Sequence, residues 1–285
     1  MARDRLGIIG GTGLYALDGL EQIEKRELDT PFGNPSAPIL IGKMGAQEVC
    51  FLPRHGENHQ YLPSEINFRA NLWALKEMGV RGVVSVSATG SLVEEIAPGE
   101  LSLVSQYFDW TKGKRDGTFF GKGLVAHVST AKPACDVLSA QLVRAARDAG
   151  VALHTDKTYA CVEGPRLGTR AESFFLKKAD CHLVGMTNLP EAFLALEVQL
   201  CYCTIAIATD FDCWLDDPDE HVSVDAVLSR YKKSIGKVQN LLRALLAKGV
   251  SFEGAKARQA LTSALITPPD ALSNENKKIL SFLKI

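Results

Sequence analysis

Six short apolar runs, "LGII", "EVCFL", "RGVVSVS", "ELSLVSQYF", "HLVGM" and "CTIAIA", recur along the 285-residue chain, several with no polar face. A strand without a polar face has to be covered on both sides, so the pattern points to helices over a sheet and an α/β fold. Helical patterns fall between the runs. In "SEINFRANLWALKEMG", Ser64 stands as the N-cap, Phe68, Leu72 and Leu75 share a face, and Gly79 supplies the stop. From Val224 to Lys248, the residues Val227, Tyr231, Ile235, Val238, Leu242 and Leu245 keep helical spacing, and Gly249 follows. With 46% hydrophobic residues, no repeat and no linker-like stretch, a single domain over residues 1–285 is expected.

Charge removes several function classes. The 32 basic and 33 acidic residues leave a net charge of −1, with no basic bias for nucleic acid and no polybasic tail for an anionic membrane. No apolar run approaches the ~20 residues that span a bilayer, and "MARDRLGIIGG" is too short an apolar stretch for a signal peptide. The seven cysteines include no CxxC pair and read as reduced, mostly buried thiols of a cytoplasmic protein. Histidines and cysteines show no zinc-ligand spacing, so no metal is expected.

The first run ends in "GGTGLY". Gly11, Gly13 and Ala16 formally satisfy the dinucleotide pattern G-x-G-x-x-A, but Gly19 interrupts the helix that should follow. Asp29, at the spacing of a ribose-binding acid, sits in the turn-like "LDTPFGNP" instead of ending a second apolar strand. Open backbone N–H groups plus the Thr12 hydroxyl suit one compact anion. A tight glycine turn with no ligand is the lesser alternative for these residues. Two further runs end in similar chemistry. "FLPRHGENH" carries Arg54, whose forked donors match phosphate oxygens, and His55, a further donor. "VVSVSATGS" breaks into Ser87, Ala88, Thr89 and Gly90, where open α/β sheets bind ligands. A surface arginine, a core histidine and an ordinary turn are the plain alternatives. Three strand ends of one character favour inorganic phosphate or a phosphoryl group.

The motifs "GIIGGTG", "RHG", "NFRANLWALKEMG", "GSLVEEIAPGEL", "VEGPR", "RAESFF", "GMTNLPEAFLALE" and "IAIATDFDCW" occur in consistent order over residues 6–248. In these the chain resembles the 5′-methylthioadenosine phosphorylases, within the trimeric branch of the purine nucleoside phosphorylase family. The resemblance implies a single α/β domain with a twisted mixed sheet flanked by helices, assembled as a homotrimer. Residues 249–285 carry no alignable motif and are expected to form a helical extension. The resemblance puts Thr12, Arg54, His55, Ser87, Ala88 and Thr187 at phosphate positions, Met186 against the ribose, and Asp210 and Asp212 at the purine. It puts His127 near the 5′ end of the nucleoside, reached from a neighbouring subunit; on sequence alone His127 is also read as a structural residue.

The implied reaction is phosphorolysis of methylthioadenosine, with phosphate as co-substrate and no cofactor. A protonated Asp210 would donate to purine N7, and an ionised Asp212 would accept from the 6-amino group, disfavouring 6-oxopurines. Val224 and Leu228, four apart on one helical face, could line an apolar pocket for the methylthio group or simply pack in the core. Two positions depart from the family pattern. Leu167 stands where a purine-stacking phenylalanine is usual, and Ser87 where threonine is common. Some relatives with the same "GPRL" prefer methylthioinosine but lack the paired aspartates. The rival readings are a methylthioinosine or general purine nucleoside phosphorylase, a nucleosidase using water, and a dinucleotide-binding module.

Overall fold

The structure is a computed structural model that describes residues 4–11, 14, 19–215 and 224–284. Its strands are β1 (Arg5–Gly10), β2 (Glu21–Arg26), β3 (Ile39–Met44), β4 (Gln47–Pro53), β5 (Val80–Ser91), β6 (Leu101–Trp110), β7 (Leu153–Val162), β8 (Leu183–Gly185) and β9 (Cys201–Asp210). They form one mixed sheet in the order β2-β3-β4-β1-β5-β8-β7-β6-β9. A further β5–β9 pairing closes the far end, so β5, β8, β7, β6 and β9 make a ring without a free edge. The α/β expectation holds, with more closure than an open twisted sheet. Each of the six apolar runs falls on a strand. Three strands lie outside those runs, and one of them, β2, "EQIEKR", is a largely exposed edge strand, where charged side chains reach water at no cost.

The helices are α1 (Phe68–Glu77), α2 (Asp136–Asp148), α3 (Arg170–Lys178), α4 (Glu191–Glu197), α5 (Val224–Lys248) and α6 (Asn274–Leu283). One correction concerns α1. Its N-cap is Asn67 and not Ser64: Asn67 Oδ1 accepts the Ala70 N–H at 3.1 Å while Nδ2 donates to the Phe32 carbonyl at 2.7 Å. A side chain that caps and cross-links at once outcompetes a more distant serine. On one face of the sheet α1 and α4 bury Phe68, Leu72, Leu75 and Leu194. On the other, α2 and α5 bury Leu138, Leu142, Val238 and Leu242 against Ile8, Val84 and Ile205. Each such fully buried side chain contributes about 1.5–3 kcal/mol. Six of the seven cysteines are buried and Cys213 is half-buried.

The segment after α5 packs onto the same cores. Phe252 is buried over Gly82, where an added Cβ would stand 2.3 Å from its ring. Phe282 stacks on Trp73 at 3.8 Å between centroids. Gln199 joins two points of the segment, accepting the Leu261 N–H and donating to the Leu283 carbonyl, each at 3.2 Å. Among the described residues no helix is long and apolar enough to cross a membrane.

Candidate active site

Parallel pairing assembles the site. Strands β4, β1, β5 and β9 run parallel as successive neighbours, so their C-terminal ends share one edge of the sheet. Gly10 pairs with Pro53, and Gly90 with Asp210. The edge thereby gathers the start of the glycine loop, Arg54–His55, Ser87–Gly90 and Asp210, the switch region where sheets of this kind bind ligands. Strand β8 runs antiparallel to β5 and delivers Met186 and Thr187 beside it. Ser87 Oγ and Thr187 Oγ1 lie 3.1 Å apart, so two expected phosphate hydroxyls are neighbours, with Ala88 half-buried next to them. Thr12 lies outside the described residues, as do the side chains of Val224 and Leu228 on α5.

Arg54 is placed differently from a free fork. Its side chain is 2% exposed and pairs with Glu191, itself wholly buried: Nε donates to Oε2 at 2.8 Å and Nη2 to Oε1 at 3.0 Å. Nη2 also donates to Ser85 Oγ at 2.5 Å and Nη1 to the Val86 carbonyl at 3.1 Å. A guanidinium has five N–H donors, so one Nη1 hydrogen is left for an anion among the described residues. Glu191 Oε1 further accepts from Ser85 Oγ at 2.9 Å and Tyr202 OH at 2.7 Å. Asn188 Nδ2 bridges Ser85 and Tyr202, at 3.0 Å to each oxygen.

His55 also takes an unexpected role. Its Nδ1 lies 2.9 Å from the Tyr61 carbonyl, which can only accept, so Nδ1 carries the proton. Burial, helped by the Arg54 charge, pushes its pKa down to about 4 despite that bond, leaving a neutral ring with an Nε2 lone pair. Such a ring accepts a hydrogen bond; it does not donate one to a bare oxyanion.

At the purine positions, Asp210 is buried at the end of β9. Its Oδ1 accepts the Asp212 N–H at 2.8 Å, and its Oδ2 lies 2.6 Å from Thr209 Oγ1. That hydroxyl is also 3.2 Å from the Thr89 carbonyl. Thr209 has one hydrogen, shared between that carbonyl and Asp210 Oδ2. Burial pushes the Asp210 carboxyl above its usual range, against the Thr209 hydroxyl and the Asp212 amide, and the Asp212 charge adds to the push. Burial likewise raises Asp212, opposed by the Ser173 hydroxyl. The backbone must come close here. A Cβ on Gly90 would lie 3.0 Å from Asp210 Oδ1 and 3.1 Å from Asp212 Cβ.

Met186 meets a second glycine. Gly164 has φ +69°, and a Cβ there would stand 2.6 Å from Met186 Sδ, so the "EGPR" turn presses on the residue expected to face the ribose. Leu167, in the same turn, is 43% exposed and remains available as an apolar surface. A cavity of about 180 Å³ runs from Gly164 and Gly168 past Ser173 to Asp212. His127 is exposed, its backbone N–H bonded to the Ala264 carbonyl at 2.9 Å, and no hydrogen bond among the described residues links it to this cluster. Among the described residues no group of His, Cys, Asp or Glu could hold a metal ion.

Residues 5–247 match the family model described as the phosphorylase superfamily. The chain belongs to the phosphorylase superfamily. It is 42% identical over 278 residues to the S-methyl-5′-thioadenosine phosphorylase of Geobacter sulfurreducens, covering 98% of this chain and 97% of that one. Among solved structures it resembles a methylthioadenosine phosphorylase from an antarctic soil metagenomic library, at TM-score 0.92 and 41% identity over 99% of each chain. It also resembles the Schistosoma mansoni methylthioadenosine phosphorylase in complex with adenine, at TM-score 0.87 and 34% identity, covering 94% of this chain and 100% of that one.

Several residues of this phosphorylase site were not singled out from sequence. Glu191, 137 positions from Arg54, stood only inside the motif "GMTNLPEAFLALE", and nothing local marks it as the partner of a buried cation. Arg230 on α5 donates to the Thr209 carbonyl at 3.1 Å and so braces the strand end that carries Asp210. Arg115 lies in a basic stretch, "TKGKRD", that reads as solvated surface, yet its side chain is only 3% exposed.

Proposed function

We propose that this chain catalyses phosphorolysis of 5′-methylthioadenosine, giving adenine and 5-methylthioribose 1-phosphate. One observation carries the reading: the sheet edge that gathers the hydroxyls of Ser87 and Thr187 and the last Nη1 hydrogen of Arg54 also holds buried Asp210 and half-buried Asp212. Anion donors and a neutral carboxyl on one edge are what displacement of a purine by phosphate requires. The likeness to methylthioadenosine phosphorylases in sequence and structure supports the same substrate.

Breaking the N-glycosidic bond builds positive charge on the ribose, an oxocarbenium-like state. Phosphate seated by the Thr12 loop, Arg54, Ser87, Ala88 and Thr187 lies beneath C1′, stabilises that charge and then attacks it. Positioning and electrostatics supply most of the acceleration, with no protein nucleophile. At neutral pH every inorganic phosphate still carries at least one O–H, and the Nε2 lone pair of His55 accepts it. Asp210, protonated, donates to N7 as the base departs; Asp212 accepts from the 6-amino group and meets a 6-oxo group with repulsion. Met186 and Leu167 pack on the nucleoside, Val224 and Leu228 line its 5′ end, and His127 reaches that end from a neighbouring subunit. In this reading the chain acts as one domain in a cytoplasmic homotrimer, takes phosphate as co-substrate and uses no cofactor or metal.

The deciding experiment supplies purified protein with methylthioadenosine, with and without phosphate, and resolves base and sugar products. Phosphate-dependent release of adenine with a sugar 1-phosphate is expected. Adenine release independent of phosphate would mark a nucleosidase, and faster turnover of methylthioinosine would overturn the roles of Asp210 and Asp212.

A further inference from the structure

We infer that Arg115 is a positioning residue for the nucleoside half of the site, locking the Met186 backbone to the turn that packs against it. The inference rests on the reading of Met186 as the residue facing the sugar. All five N–H donors of Arg115 are taken. Nη1 donates to the carbonyls of Met186 at 2.7 Å and Leu189 at 2.6 Å. Nη2 donates to those of Glu163 at 2.8 Å and Val162 at 3.4 Å. Nε donates to Glu163 Oε1 at 3.0 Å. Nη1 also reaches Cys161 Sγ at 3.8 Å, and four of the six acceptors are backbone carbonyls, two on each side of the contact between Gly164 and Met186.

Glu163 keeps the arginine aimed. Its Oε2 accepts the Lys112 N–H at 2.6 Å, which anchors the loop after β6 to the same turn. Burial disfavours its charge, but the Lys112 amide and Arg115 outweigh that and lower its pKa. Arg54, by contrast, retains one donor for a ligand; Arg115 retains none. It therefore acts on substrate only through the carbonyls it holds. The phosphate side is held by other means: Thr187 is tied to Ser87 Oγ at 3.1 Å and to Tyr159 OH at 3.4 Å. A defect at Arg115 should accordingly separate the two substrates. Lysine cannot replace it, because an ammonium offers three donors from one point and cannot span two segments.

The test is steady-state kinetics of the full chain and its Arg115→Lys variant, varying nucleoside at saturating phosphate and phosphate at saturating nucleoside. The nucleoside is whichever of methylthioadenosine, methylthioinosine, adenosine and inosine the wild type turns over fastest, so an error in the proposed substrate is seen in the wild type alone. Arg115→Lys should raise the nucleoside KM by roughly tenfold or more while the phosphate KM stays within about twofold. Glu163→Gln, which keeps the carbonyl contacts and removes the aiming charge, should show the same split at about threefold. If Arg115→Lys fails to fold by circular dichroism, Glu163→Gln decides alone. Equal rises in both KM values, or lost thermal stability with unchanged KM values, would overturn the inference and leave Arg115 a structural residue.

Discussion

Asp210 accepts the backbone N–H of Asp212 through Oδ1 at 2.8 Å, and Asp212 adopts a left-handed φ of +52°. The two carboxylates are therefore held by one two-residue turn and not by separate loops. Whatever shifts the first also re-aims the second, so base protonation and base choice change together.

Asp210→Asn should lower turnover of methylthioadenosine by about 10²-fold, within the range for loss of a general acid. It should also narrow the gap to methylthioinosine, since an amide donates to both N7 and O6. The acid must be protonated to act, and burial raises its pKa, so wild-type activity should fall as pH rises through that value. Asparagine has nothing to titrate. A pH–rate profile of the variant that keeps the alkaline limb would count against the assignment.

Glu191→Ala leaves the Arg54 guanidinium buried without its counter-ion. Breaking such a pair costs about 3–5 kcal/mol, which urea titration would measure as a lower midpoint at unchanged slope. Glu191→Gln keeps the shape and the Tyr202 and Ser85 contacts and should lose less. Both should raise the phosphate KM, because the one remaining donor of Arg54 is aimed by this contact.

Gly90→Ala puts a methyl group 3.0 Å from Asp210 Oδ1 and 3.1 Å from Val184 Cγ1. Relief of such overpacking costs about 1–3 kcal/mol. The carboxylate is the more movable neighbour, so activity should fall more than stability. A variant with wild-type kcat/KM and a reduced melting temperature would reverse that order.

Acidification should destabilise the fold through His55. Burial lowers its pKa in the folded chain from 6.5 to about 4, so between those values the unfolded chain binds the extra proton. Stability from this group is complete above pH 6.5 and is lost as pH falls toward about 4. The loss should be on the order of 2 kcal/mol, allowing for its partial exposure. His55→Gln removes the proton-linked slope. Denaturant titrations at three pH values in that window would show whether it does.

Much of the frame was legible because buried strands carry an unmistakable pattern. β1, β4, β5, β6, β8 and β9 are apolar runs, and α5 keeps its spacing from Val224 to Lys248. β2 was hidden because a charged edge strand obeys no core pattern, and the Asn67 cap because Ser64 offers the same chemistry three residues earlier. At the site, the residue types at strand ends announced anion chemistry. The directions of their hydrogen bonds did not follow. That Arg54 turns its fork inward depends on Glu191, and that His55 is an acceptor depends on the Tyr61 carbonyl. The first pairing spans 137 positions and arises from the sheet topology, which no local spacing encodes; the second is local, within a turn whose carbonyl direction the residue types do not set.

The inward-facing ion pair has a consequence for the catalytic cycle. An anion docking against Arg54 meets a guanidinium whose charge Glu191 already balances, so its hold comes from oriented hydroxyls, amides and a single N–H, not from net charge. Both the incoming mineral anion and the outgoing sugar ester carry the same group. A seat that is close to neutral grips each only by shape and direction, and lets the ester depart without dragging an unsatisfied cation into view. In the proposed reading, a balanced Arg54–Glu191 pair favours release of the ester between turnovers.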